Sequence, residues 1–321
     1  MLPRHSSQYI CSELAAPTVN GRTADIHITT RGSDWYYTVC ALMAISTLTI
    51  IALSLRLPRK SRLFYYLTAA ICLIPMIAYW TMGSNLGFVP IRVEFLRGAG
   101  TVRGIFRQIF YVRFIDHFLT SSLILFTLLL TAGVPWPSIL WVVLVDWVMI
   151  VSALVGTLVH SIYKWGYFCL GTFPFQVKQK RSLHIEACVA LLYIVYVLAI
   201  EGTKHAKRLG NDLYKTYLMC MGVTLLTWLI YPIAWGVSEY GNIIAPDSAA
   251  VFYGILDIIS RIIFSALLLF GLRNVDPARL GLSIRDYDED PTMTGGLLDE
   301  KRRPEMDGAH RGQPVNPATV V

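Results

Sequence analysis

Charge is scarce in this chain. Of 321 residues only 15% are Asp, Glu, Lys or Arg, 55% are hydrophobic, and the mean hydropathy is +0.52. Soluble domains carry roughly 25% charged residues, so an ordinary soluble fold is excluded. Lysine is missing altogether between Lys215 and Lys301. The six cysteines show no Cys-X-X-Cys spacing, and five lie in or beside apolar runs, which reads as buried free thiols rather than a metal or redox site. There is no His-Glu-X-X-His motif, no phosphate-binding glycine loop and no Gly-X-Ser-X-Gly elbow, so no enzymatic chemistry is expected. No basic stripe is interleaved with aromatics, and the C-terminal part is acidic, which argues against nucleic acid as a partner. The first 33 residues are polar and lack the basic, apolar and small-residue order of a cleavable signal peptide.

What the chain does have is apolar length. Seven stretches, at about 35–56, 63–83, 105–130, 138–160, 187–203, 214–237 and 249–272, approach the ~20 residues needed to cross a bilayer core of ~30 Å. Strand-period alternation is absent, and backbone groups in lipid must be satisfied within their own segment, so these runs predict helices. The expectation is an all-α bundle of seven transmembrane helices, 35–274. A polar extracellular tail precedes it at 1–34, and a tail at 275–321 follows. That second tail carries nine acids against six Lys/Arg and no apolar periodicity, which predicts disorder in the cytoplasm. The net charge of +7 therefore conceals about +10 on the membrane part, which suits anionic lipid. Basic residues in the 1–2 loop (Arg56, Arg59, Lys60, Arg62) and the 5–6 loop (Lys204, Lys207, Arg208) predict an outside N-terminus and a cytoplasmic C-terminus. The 4–5 region contradicts this with Lys164, Lys178, Lys180 and Arg181.

Ionisable residues inside the runs are costly and mark function by default. Arg261 lies eleven residues into the run Val251–Leu272, one turn after Asp257, so both fall near the midplane. On the third run, Arg113 and Asp116 in YVRFIDHFLTSS are three apart and share a face. Two cations and two anions would share one low-dielectric interior. Isolated, each costs several kcal/mol; paired, the set approaches neutrality. Asp146 in VDWVMI adds a carboxyl to the fourth run, and TWLIYPIAW places Trp228, Tyr231, Pro232 and Trp235 on one face of the sixth.

In order and on separate helices, these motifs resemble the microbial rhodopsins over about 35–275, most closely those of fungi. The resemblance implies that the matching Arg113, Asp116 and Asp257 form a counterion cluster, and that His117, Trp228, Tyr231, Pro232 and Trp235 outline a retinal pocket. It also implies a buried family carboxyl at Asp146. Arg261 stands where the family has the lysine that binds retinal as a Schiff base. A guanidinium stays protonated and cannot act as the amine nucleophile of imine formation, so no covalent retinal is expected.

Three departures argue against a pump. Thr127 holds the position of the carboxyl proton donor; His117 stands where a Trp commonly packs on the polyene; and Thr120, Ser121 and Ser122 replace a Thr-Thr-Pro. Glu239 lies where pumps keep release carboxylates, with a solvated loop acid as the plainer reading. The fifth run becomes a full span only when 166–171 is spliced to 187–202, so TFPFQVKQKRSLHIE at 172–186 reads as an insertion, either a retained intron or an extended loop.

The resemblance implies a membrane protein, most naturally of the plasma membrane, akin to lysine-lacking, heat-shock-induced fungal proteins of stress and membrane homeostasis. A retinal-dependent, light-driven ion transporter or photosensor is the alternative, and a passive proton or ion leak along Asp116, Arg113 and Glu239 is a third. The expected partners are the lipid bilayer, a second copy of the chain in a homo-oligomer, and a cytosolic protein on the C-terminal tail.

Overall fold

The computed structural model describes residues 24–159, 189–273, 275 and 277–280. The stretch at 172–186, most of the N-terminal tail and the acidic C-terminal tail lie outside the described residues.

The described chain forms α1 (Thr30–Leu55), α2 (Leu63–Gly83), α3 (Tyr111–Thr131), α4 (Trp136–Leu158), α5 (189–209), α6 (Asn211–Tyr240) and α7 (Pro246–Leu272). Six of these helices, all but α5, are long and apolar enough to cross a membrane. The outer surface is where that apolarity goes: Leu48, Trp80, Leu140, Leu226 and Phe270 are each at least 60% exposed. The interior meanwhile collects Thr47, Thr68, Thr127, Thr224 and Thr227 beside the charged groups. Leucine gains nothing from leaving lipid, so small and polar residues become the packing side.

Two boundaries depart from expectation. First, α1 starts at Thr30, where Thr29 accepts a hydrogen bond from the Arg31 amide as N-cap, and residues 24–29 are not a free tail. Ile26 bridges Arg107 in parallel, and Ile26 and Ile28 are buried. Second, the front of the third apolar run is not helix. Phe88–Arg92 (β1) and Phe106–Phe110 (β2) pair antiparallel, with Phe88 opposite Phe110. Phe, Ile and Val suit a pleated strand, and the turn entering β1 carries Asn85 and Gly87 at positive φ. The hairpin lies outside the spans, so the bundle itself remains all-α.

Along α3 and α7 the core changes character in step. Phe114 belongs to one apolar cluster and Ile124–Leu130 to another; on α7 Tyr253 and Leu256 belong to the first, and Phe264–Leu272 to the second. Asp116 and Ser121, and Asp257 and Arg261, fall in the gap. Asp116, Asp257 and Arg261 therefore form a layer between the two clusters. Here α7 widens into a π-helical turn, Ile258–Ile263, which holds Arg261.

Candidate functional site

Arg261 is the largest fully buried side chain among the described residues, 2% exposed. Its Nη2 donates to Asp116 Oδ2 at 2.7 Å and to Thr120 Oγ1 at 3.1 Å. Its Nη1 donates to Asp257 Oδ1, one turn earlier on α7, and reaches the Tyr231 hydroxyl at 3.3 Å. Asp257 also accepts from the Tyr79 hydroxyl at 2.5 Å and from the Tyr231 hydroxyl. One guanidinium thus bridges two carboxylates from two helices, with its planar fork matched to both. At the site's edge, His117 Nδ1 is 3.7 Å from Asp116 and 3.0 Å from the Arg113 carbonyl.

Arg113 does not join this group, which corrects the single cluster expected for Arg113, Asp116 and Asp257. Its guanidinium donates to Glu239 Oε1 at 2.9 Å and to the Tyr36 hydroxyl at 2.8 Å, and lies 3.9 Å from the centre of the Tyr253 ring. Helical side chains lean toward the helix N-terminus, so a long Arg113 reaches away from Asp116 although the two share a face. Glu239 is correspondingly not a solvated loop acid. Its side chain is 9% exposed, and it also accepts from Tyr253 at 2.6 Å and from Ser238. Among the described residues there are two buried ion-paired centres rather than one.

Thr127 lies about 16 Å along α3 from Asp116 at 1.5 Å per residue, with its hydroxyl donating to the Leu123 carbonyl at 2.6 Å. It is fully buried among leucines.

Asp146 is fully buried and its Oδ2 is 2.6 Å from Ser121 Oγ. That hydroxyl also lies 2.6 Å from the His117 carbonyl, and its single hydrogen can serve only one of the two. The other carboxyl oxygen, Oδ1, has no protein partner.

The aromatic residues of α6 gather around His117. Its ring meets Tyr231 edge-on at 4.8 Å, and Trp235 stacks on Phe114 at 5.7 Å. A cavity of about 40 Å³ remains, bounded by residues that include His117, Asp146, Trp228, Tyr231, Pro232 and Trp235. Ligand pockets usually measure about 300–1,000 Å³, so the space left between these described side chains is small.

The residues missed in the sequence are three tyrosine hydroxyls, each reaching a different helix: Tyr79 donates to Asp257, Tyr253 donates to Glu239, and Tyr36 accepts from Arg113. Their signal was a tyrosine inside an apolar run, whose buried hydroxyl must find a partner.

The comparisons with known proteins agree with this architecture. Residues 31–178 and 179–275 match the family described as bacteriorhodopsin-like protein, the two segments meeting inside the stretch read as an insertion. The chain is 58% identical to opsin-like protein carO of Fusarium fujikuroi, over 84% of this chain and 83% of that protein. It is 32% identical to the 30 kDa heat shock protein of Saccharomyces cerevisiae, over 77% of this chain and 74% of that one. Among solved structures, the light-driven proton pump LR (Mac) from Leptosphaeria maculans superposes with a TM-score of 0.68 at 26% identity, covering 78% of this chain and all of that one. The chain is an integral membrane protein of the bacteriorhodopsin-like family.

Proposed function

We propose that this is a seven-span opsin-related protein that works without covalent retinal, in a stress or membrane-homeostasis role at the plasma membrane. In this reading the N-terminus is outside and the C-terminus is in the cytoplasm. One observation carries the proposal: both terminal nitrogens of Arg261 are committed to Asp116 and Asp257, so the positive charge between the two acids is permanent. Nothing at that position offers a neutral amine, and the small cavity beside it leaves little room for a polyene. The residues present therefore do not fit a covalently held retinal. Similarity to a protein named for heat shock supports the stress role.

A light-driven transporter is the second reading, favoured by the retained carboxylates on both sides of Arg261 and by the likeness to a light-driven proton pump. Absorption spectra of the purified protein after addition of all-trans retinal separate the two. The expected result is no visible band in the parent protein. A band in the Arg261→Lys variant would show a pocket silenced by one residue. A hydroxylamine-sensitive visible band in the parent would overturn the proposal.

A further inference from the structure

An open groove of about 460 Å³ runs down the outside of the bundle between α1 (Ile45 to Leu53), α2 (Tyr65, Cys72) and α7 (Ile262 to Arg273). Its walls are almost entirely apolar. The hydroxyls of Ser46 and Thr49 within it already donate to the Leu42 and Ile45 carbonyls of their own helix, so they offer nothing to a polar ligand. Arg273 is the one cation among the lining residues, and it stands at the end of α7. It is exposed, its guanidinium lies 4.4 Å from the centre of the Phe270 ring, and no carboxylate among the described residues pairs with it.

The groove's depth identifies the occupant. From Ile262 to Arg273 α7 rises about 16 Å at 1.5 Å per residue, close to half of a ~30 Å hydrocarbon core. Arg261 lies near the midplane, so the groove begins there and ends at the water boundary of one leaflet, where Arg273 waits. Arg62, the nearby alternative on the loop into α2, is already bound to the Leu57 and Leu55 carbonyls. A second groove, of about 630 Å³, lies toward the other end of α1 and α2, between Tyr37, Cys40, Met76 and Trp80, and has no cation in its lining. The two leaflets are thus treated differently.

We propose that the α1–α2–α7 groove is a binding site for an anionic phospholipid of a single leaflet, with an acyl chain along the groove and the headgroup phosphate on Arg273. The site does not depend on the reading of Arg261, and neither test bears on the other.

Native mass spectrometry of the full-length protein, given equimolar phosphatidylglycerol and phosphatidylcholine of the same acyl chains, tests it. The expected preference for phosphatidylglycerol is about fivefold, the worth of one arginine beside an anionic headgroup. Arg273→Gln should bring the ratio close to one while the zwitterionic lipid is still retained. Ala266→Phe, which fills the groove from an exposed wall, should lower retention of both lipids. Ala44→Phe in the opposite groove should leave the ratio as in the parent. Equal retention of the two lipids by the parent, or a preference that survives Arg273→Gln, would overturn the proposal.

Discussion

Replacing Arg261 by Leu removes the cation and leaves Asp116 and Asp257 facing each other in a dry interior. The leucine side chain fits the volume roughly but takes away the donors to Asp116, Asp257 and Thr120. Breaking a buried ion pair from one side costs about 3–5 kcal/mol, because the remaining charge has neither water nor partner. The tyrosines soften this at Asp257, which keeps the Tyr79 and Tyr231 hydroxyls, and not at Asp116, whose Oδ2 accepts from Arg261 alone. Asp116 is therefore where most of the loss should arise. In a domain of this size, 1 kcal/mol moves the melting temperature by about 2–4 °C, so the fall should be roughly 6–20 °C. Thermal unfolding in detergent, followed through the fluorescence of the eight tryptophans, measures it. Arg261→Lys should fall between parent and leucine variant, since an ammonium keeps the charge and loses the fork that spans both acids. Adding Asp116→Asn to Arg261→Leu should recover part of the loss, because one stranded acid is then gone, and the non-additivity is the coupling energy of the pair. An Arg261→Leu protein that melts with the parent would refute the argument that this ion-pair layer holds the bundle together.

Three further outcomes are expected. Glu239→Gln keeps an amide oxygen for Arg113 but removes the negative charge opposite the buried guanidinium, and should destabilise the protein by about 3 kcal/mol, read by the same thermal scan; it should also leave light-independent pH equilibration in proteoliposomes unchanged, since Arg113 and Glu239 sit in a centre apart from Asp116. Asp146→Asn should change stability by less than about 1 kcal/mol, because a neutral amide keeps an oxygen for Ser121 and no cation depends on the carboxylate; a larger loss in chemical denaturation would mean that the carboxyl has a second role. The backbone amides of Phe106 and Ile105 donate to Asp25 and hold its carboxyl below the usual carboxylate range. A depressed acid contributes its stabilisation above the unfolded value, about pH 3.9, and loses it as the pH falls through the lower folded value. The protection of the Ile26 amide, its exchange rate relative to the intrinsic rate at each pH, should therefore fall only below about pH 4. Protection already lost at neutral pH would sink this account of how residues 24–29 are held.

Much of the bundle was legible because a membrane leaves few choices. An apolar run of bilayer length favours a helix and a charge within it favours the interior, so six of the expected spans, and the burial of Asp116, Asp257 and Arg261, could be read directly. The helical repeat also put Asp257 and Arg261, four apart, on one face, and they are in contact. Arg113 and Asp116 satisfy the same spacing and do not pair. A spacing rule says which side chains are near, not which way a long one leans. The hairpin hid at the front of the third apolar run: Arg107 and Gln108 make Phe106–Phe110 more polar than the helix that follows, and its strand partner Phe88–Arg92 lies upstream of the run.

Sequence alone determined that this chain lies in a membrane, that its apolar runs carry ionisable residues, and that the amine expected by resemblance on the seventh helix is a guanidinium. Tertiary structure decided how those charges are divided. Glu239 is 126 positions from Arg113 and Asp116 is 145 from Arg261, so neither pairing is written in any local pattern. The rotation of each helix about its axis chooses the partner, and that rotation is set by packing between helices that are remote in sequence.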